Sequence, residues 1–417
     1  MADDSAARLD VRTLLAAVED APPFSAADVL GERLGSLLGA REVAFLIADF
    51  SGHALVRLGH SGSSSATRTQ GDETAERVSL TGSAHGRALA TQTVDLEHGV
   101  DGTRVFAPVT NRGEAIGVLE LVLDEAPGED VLAEVAAAAH TLAYVVIANR
   151  RFTDVFEWGQ RSVPLSLAAE IQHRLLPNAY TCEAGQFTVA GWLEPAGNVG
   201  GDTFDFALQR DTLHLSMTDA MGHEVGAALL ATVMVGSLRN ARRAGVGLAE
   251  QVRLANLALA DHARDSGFVT GQVARIDLGT GTAGIVNAGH PLPLRLRDGR
   301  VDRVDLQVDP PFGVVRGHEY RVQAAAGAGR PSDVLHRRHA GAQHRQRRHR
   351  EHGGGRRGDA STRSRPAPHA GHPRGDRRRT EGRRDRLVLR LARRTGARAD
   401  QQLGRRSVTY TPIRACG

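Results

Sequence analysis

A chain of 417 residues is long enough for two or three domains, each with a core of its own. Its formal net charge of +4 averages two unlike parts, because residues 324–417 hold 25 Arg against 7 acidic residues while residues 1–323 hold 27 basic and 41 acidic ones. The acidic part speaks against a nucleic-acid surface there, and two cysteines, Cys182 and Cys416, give no disulfide framework and no Cys-based metal site.

Every basic residue is Arg, a bias that points to GC-rich coding sequence more readily than to binding. The N-terminus is acidic and lacks the apolar core of a signal peptide. The longest apolar run, Leu142 to Ala148, is too short to span a bilayer. A cytoplasmic protein without a membrane partner is the expectation.

Residues 1–23 read as a short helix with a loose end, and Ala26 to Leu38 has helical apolar spacing. Val43 to Ile47 reads as a buried strand, turned at Asp49 to Gly52 and paired with Ala54 to Leu58. Residues 60–77, rich in Ser, Gly and Thr, read as a loop. His53, His60, His85 and His98 are expected to be solvated loop residues and not ligands. Arg104 to Val109, Asn111 to Gly113 and Ala115 to Val122 read as strand, turn and strand, followed by a long helical stretch from Val131 to Phe156. The run A-P-V-T-N-R-G-E-A-I-G-V-L-E-L in this order resembles a GAF sensory domain over residues 24–150. That likeness implies a small-molecule sensor or a dimerising relay.

The helical pattern resumes from Leu165 to Leu176 and stops at Pro177, so residues 151–178 read as a helical linker that either transmits a signal or merely connects. A strand at Phe187 to Trp192 then leads into E-P-A-G-N-V-G-G-D-T-F-D-F from Glu194. Leu213, Leu215 and Met217 alternate with His214, Ser216 and Thr218, the period of a half-buried strand, so Asp219 leaves a strand end. Gly200 and Gly201 permit a tight turn that presents Asp202 beside Asp219 on the adjacent strand. Carboxylates gathered there, without His or Cys ligands nearby, suit a hard cation such as Mg²⁺ or Mn²⁺. Taken singly, a G-G-D turn and an Asp ahead of a helix are ordinary turn and cap features.

Their company changes the weighting. With E-I-Q-H-R-L-L-P at Glu170 to Pro177, F-V-T-G-Q-V-A-R-I-D at Phe268 to Asp277, T-G-T at Thr280 to Thr282 and N-A-G-H-P at Asn287 to Pro291, the series resembles the SpoIIE-like branch of the PPM-type metal-dependent phosphatases. The resemblance covers about Leu167 to Gln323. It implies an α+β chain: a GAF-like αβα domain, a helical linker, and a PPM-type α-β-β-α sandwich over 179–323 that is incomplete at its C-terminal end. It also implies two Mn²⁺ or Mg²⁺ ions bridged by Asp219, with Asp202 and the Ala220 carbonyl as further ligands. Family members usually carry Gly where Ala220 stands, a departure that leaves the carbonyl available. His290 either contacts substrate phosphate or, as the residue pattern favours, stabilises its turn. The implied reaction is hydrolysis of phosphoserine or phosphothreonine on a regulatory protein of the anti-sigma factor antagonist type. Homodimerisation through the GAF-like domain and linker helix is left open.

Beyond Gln323 the composition changes. Residues 324–417 contain no Phe or Trp and a single Ile, Ile413, too little to bury a core, so a disordered tail is expected. The genetic code offers an explanation. Codons exist for Arg330 to His344 that, read one base later, give D-R-V-M-F-F-T-D-G-M-L-E-R-N, and in the same frame Gly382 to Asp385 gives D-D-A-T. T-D-G and D-D-A-T are the remaining metal motifs of the resembled family, in the right order. Two such motifs in one frame point to a frameshift near residues 324–329. Read literally, the chain lacks the two late carboxylates, which leaves a catalytically dead sensor or scaffold as one alternative. Nonspecific nucleic-acid binding by the Arg-rich tail is the other.

Overall fold

The computed structural model describes residues 9–60, 68–70, 73–193, 200–262, 267–297, 300–324, 334–336 and 386–391. The N-terminal half runs α1 (Val11–Asp20), α2 (Ala26–Leu38), β1 (Glu42–Ala48), β2 (Ala54–His60), β3 (Arg68–Gln70), β4 (Glu73–Ser79), α3 (Ala84–Thr91), β5 (Asp95–Gly99), β6 (Gly102–Asn111), β7 (Glu114–Leu123) and α4 (Glu129–Asn149). Its seven strands form one antiparallel sheet in the order β3-β4-β2-β1-β7-β6-β5. Period-two alternation decides which side each residue serves. Leu119, Leu121 and Leu123 meet α1, α2 and α4, whereas Leu46, Leu55, Phe106 and Val118 meet α3. This is the αβα layering expected for residues 24–150. The predicted turn is there too, with Arg112 and Gly113 at φ 46° and 79° between the paired Asn111 and Glu114, the geometry of a primed hairpin turn.

Three expectations need correction. The Ser- and Thr-rich stretch 60–77 contains β3 and β4; Ala75 is buried on β4, and the loop-like composition hid this alternation. Residues 61–67 and 71–72 lie outside the described set. His85 is not a solvated loop residue: it sits on α3, its Nε2 3.1 Å from Glu120 and its ring edge-on to Phe106. Burial opposes ionisation of Glu120, but His85 and Arg57 (2.6 Å) outweigh it and hold the carboxyl at about 2. The helix α4 is 21 residues long and, by length and composition only, apolar enough to cross a bilayer. Its inner side, from Val135 to Val146, belongs to the core of the N-terminal half. Finally, the continuous linker helix is broken into α5 (Val155–Gln160) and α6 (Leu167–Leu175). Pro164, which lacks an N–H, precedes Ser166, whose hydroxyl caps α6 by accepting from the Ala169 N–H at 3.2 Å.

The C-terminal half continues with β8 (Thr181–Glu183), β9 (Phe187–Trp192), β10 (Asp202–Gln209), β11 (Thr212–Ala220), α7 (Glu224–Arg243), α8 (Leu248–His262), β12 (Val269–Asp277), β13 (Ala283–Ala288), β14 (Leu294–Arg297), β15 (Arg300–Arg303), β16 (Gln323–Ala324), β17 (Val334–His336) and β18 (Arg386–Leu391). Two sheets result, β10-β11-β12-β13-β16 and β15-β14-β17-β18-β9-β8. Ala220, Val269 and Val273 face α7 and α8, while Leu213, Leu215 and Ile276 interlock with Phe187 and Val189 of the second sheet. Asp205, on the helix side of β10, accepts from Arg239 at 2.8 Å and Arg242 at 3.0 Å. That pairing ties α7 to the edge strand, and losing one partner of such a buried pair costs about 3–5 kcal/mol. The tail expected to be disordered thus supplies two strands, β17 and β18, that pair between β14 and β9. The rest of 325–417 lies outside the described residues.

Candidate metal centre

The site begins with strand register. Asp202 opens β10 directly opposite Asp219 near the end of β11, and Asp219 in turn faces Thr270 on β12. Directly opposed residues project on the same side of a sheet, so Asp202, Asp219 and Thr270 form one row. The row lies on the side that carries Phe204, Met217 and Leu215, between the two sheets and not under the helices. Asp202 is 1% exposed and Asp219 half-buried.

The glycine pair works by absence of bulk. A Cβ on Gly201 would come within 2.7 Å of the Ala220 carbonyl oxygen, and one on Gly200 within 2.7 Å of the Glu224 carbonyl oxygen and 3.0 Å of the Ala168 Cβ. Neither glycine has the left-handed φ that a special turn would need. They are there for close approach. The Ala220 N–H donates to the Gly201 carbonyl at 3.1 Å, which locks the start of β10 onto the end of β11. Below the row, Thr203 and Thr218 share a 2.6 Å hydrogen bond.

His290 lies in the same neighbourhood. Its backbone N–H donates to Asn287 Oδ1 at 3.0 Å, the Asn287 amide donates to the His290 carbonyl at 2.9 Å, and Gly289 takes φ 67°. This closes the N-A-G-H turn around one buried Asn. The His290 ring is buried, with Nδ1 2.7 Å from Thr270 Oγ1. Thr270 therefore stands between His290 and Asp219, so the histidine reaches the carboxylate row through a hydroxyl.

Sequence reasoning missed two residues. Gln172 of α6 is fully buried and its Nε2 donates to the Asp202 backbone carbonyl; the signal was its place on the same helical face as the buried Ala168 and Ala169. Glu224, first in α7, holds φ 62° although it is not a glycine, a strained backbone directly against Gly200. No sequence signal marked it.

The donor set suits one hard cation. Mg²⁺ or Mn²⁺ is held by one or two carboxylates with waters and substrate phosphate oxygens completing the shell, and Asp202 with Asp219 meets that need. Among the described residues no group of three or more His, Cys, Asp and Glu gathers to hold an ion, so the second ion of a two-ion centre lacks its carboxylates there. The positions of the shifted-frame T-D-G and D-D-A-T motifs lie outside the described residues, apart from His336.

Residues 209–328 match the family model described as stage II sporulation protein E, SpoIIE. Residues 209–328 are SpoIIE-like. No curated protein matches the sequence. Solved structures similar to this chain include the RsbU and RsbW domains of Rv1364c from Mycobacterium tuberculosis, at 23% identity, TM-score 0.34, covering 39% of this chain and 45% of that one. The PP2C phosphatase domain of SpoIIE from Bacillus subtilis matches at 18% identity, TM-score 0.32, covering 37% and 45%. The GAF domain of the Acinetobacter phosphoenolpyruvate-protein phosphotransferase matches at 9% identity, TM-score 0.29, covering 34% and 93%. The chain thus spans less than half the length of the first two.

Proposed function

We propose that this chain derives from a metal-dependent phosphoserine/phosphothreonine phosphatase, governed by its GAF-like half and acting on a phosphorylated regulatory protein of the anti-sigma factor antagonist type. The observation that carries the reading is the opposed pair Asp202 and Asp219 at the end of a strand ladder, with Asp219 inside the SpoIIE-like segment and Asp202 on the strand that leads into it. Bound there, Mn²⁺ or Mg²⁺ would polarise a phosphoryl oxygen and make water a nucleophile near neutral pH. The chain's own residues do the rest. Asp219 and Asp202 hold the charge, the Ala220 carbonyl adds a neutral oxygen, and the Gly200–Gly201 contact fixes their spacing. The His290–Thr270 pair orients the Thr270 hydroxyl beside Asp219.

Control by the sensor is supported by two short connections. His173 of α6 packs against Phe50 in the β1–β2 turn, ring centroids 4.7 Å apart, while the preceding Gln172 holds the Asp202 backbone. Glu114, beside the β6–β7 turn, accepts from the Thr181 N–H of β8 at 3.0 Å, and burial pushes its carboxyl up. The reading includes a cytoplasmic location and a homodimer.

The two-ion form belongs to the frame-restored chain. β17 ends at His336, where the shifted frame reads T-D-G, and β18 begins at Arg386, just after its D-D-A-T. These strands are antiparallel, Val334 opposite Arg390 and His336 opposite Val388, and Arg386 pairs with Trp192, from which the chain runs on to Asp202. The described strand ends that adjoin the two motifs in sequence, His336 and Arg386, therefore lie at the same sheet end as Trp192, which supports the frameshift reading. For the literal chain, the two-carboxylate donor set favours a second reading, a sensor or scaffold without turnover. Phosphate release from p-nitrophenyl phosphate with Mn²⁺ separates them. The restored chain should turn over and stop with chelator, the literal chain should show little activity, and equal chelator-sensitive release by both would sink the frameshift reading.

A further inference from the structure

At the far end of β11 from Asp219, five residues and about 17 Å away, His214 lies on the side of the sheet that faces α7 and α8. Register places Ala207, His214, Arg275 and Gly284 in one row across β10, β11, β12 and β13. One step along that side, Asp205 holds Arg239 and Arg242 of α7. His214 is 6% exposed, and its Nε2 lies 3.2 Å from Gln209 Oε1. A carbonyl oxygen only accepts, so Nε2 carries the proton and Nδ1 is an acceptor. That Nδ1 is sealed from solvent and has no hydrogen-bond partner among the described residues. Burial first, then Arg242 and Arg275, lowers the imidazole to about 4, so the ring is neutral near pH 7.

This corner works against the fold. The orphaned acceptor forfeits a hydrogen bond that water supplies in the unfolded chain. The charged groups around His214 are Asp205 on β10, Arg239 and Arg242 on α7 and Arg275 on β12, with Asp277 two residues further along β12, so positive charge is in excess. Asp277 is already engaged by the Thr280 N–H and hydroxyl at 2.7 and 2.9 Å, and Arg275 is exposed with no ion pair among the described residues. A ligand that brings an O–H to Nδ1 and negative oxygens to the guanidiniums satisfies all of them at once. We propose that His214, Arg242 and Arg275 form an anion site for hydrogen phosphate, separate from the carboxylate row. The P–OH donates to Nδ1, and the other oxygens accept from Arg242 and Arg275. Arg275 is the movable wall that admits the ion, and the small Ala207 and Gly284 on either side of the row leave it room. Sulfate, which carries no proton, leaves the acceptor unmet. The inference does not depend on the phosphatase reading.

The reporter is His214 itself, in NMR spectra of the full chain labelled on its histidine rings, with its signal assigned by loss in His214→Asn. The titrations run in chelator at about pH 7.5, where a phosphomonoester has lost its second proton and inorganic phosphate keeps one. Inorganic phosphate should shift the His214 signal saturably. Sulfate and O-phosphoserine should do so about tenfold more weakly, the worth of one hydrogen bond. Arg275→Gln, at an exposed position, should weaken phosphate about tenfold with unchanged circular dichroism. The proposal is overturned by a His214 signal that phosphate does not move, by sulfate or O-phosphoserine binding as tightly as phosphate, or by Arg275→Gln binding like the wild type. Phosphate held only by the Arg-rich tail would leave the His214 signal in place and overturn it as well.

Discussion

Asp202 and Asp219 are register partners on antiparallel strands, which sets their Cβ atoms about 5 Å apart. At an effective dielectric of about 20, two carboxylates at that distance repel by about 3 kcal/mol. In chelator, Asp219→Asn should therefore be more stable than the wild-type chain. Solvent screening at the half-buried Asp219 reduces the gain to about 1–2 kcal/mol, or a few degrees in Tm for a domain of this size. With Mn²⁺ at about a hundred times its Kd, the wild-type chain should gain about 2.7 kcal/mol by mass action, and Asp219→Asn almost none. Scanning calorimetry in chelator and in Mn²⁺ measures all four states. A variant that melts lower in chelator and still rises with Mn²⁺ like the wild type would show that this pair does not hold an ion.

In the frame-restored chain, His290→Ala should reduce phosphate release far less than Asp219→Asn, because His290 meets the row through Thr270; equal losses would give the histidine a direct role. Gly201→Ala should cost about 1–3 kcal/mol by overpacking against the Ala220 carbonyl and should weaken Mn²⁺ binding, read by melting and equilibrium dialysis. Burial, with Arg242 and Arg275 nearby, lowers the His214 imidazole to about 4. A depressed base is neutral in the fold and protonated in the unfolded chain, so stability should fall as pH drops from 6.5 towards 4. Discounted for partial solvation the loss is about 1–3 kcal/mol. His214→Asn should flatten that slope in urea melts taken across the window.

The carboxylate pair was legible because alternation from Leu213 to Asp219 defines a strand, and a Gly-Gly-Asp ahead of it can only enter a neighbouring strand closely. The reason for the glycines was not legible: contact with the Ala220 and Glu224 carbonyls is a tertiary fact. Gln172 escaped because a buried amide looks like any polar helix residue until its face is known. The linker was read as one helix although Pro164 and Ser166 stood in view, since apolar spacing on either side of them matched. The same override hid β4 behind Thr and Glu, and hid β18 behind the Arg-rich composition around Arg386–Leu391, whose Leu387-Val-Leu389 is a short apolar run. Composition averages over tens of residues, and a strand needs only five or six.

The number of Mn²⁺ ions bound per chain tests the central claim most directly. Equilibrium dialysis should find one ion on the literal chain, none on Asp219→Asn, and two on the frame-restored chain. Two ions on the literal chain, or one that survives Asp219→Asn, would contradict a half-built centre held by Asp202 and Asp219.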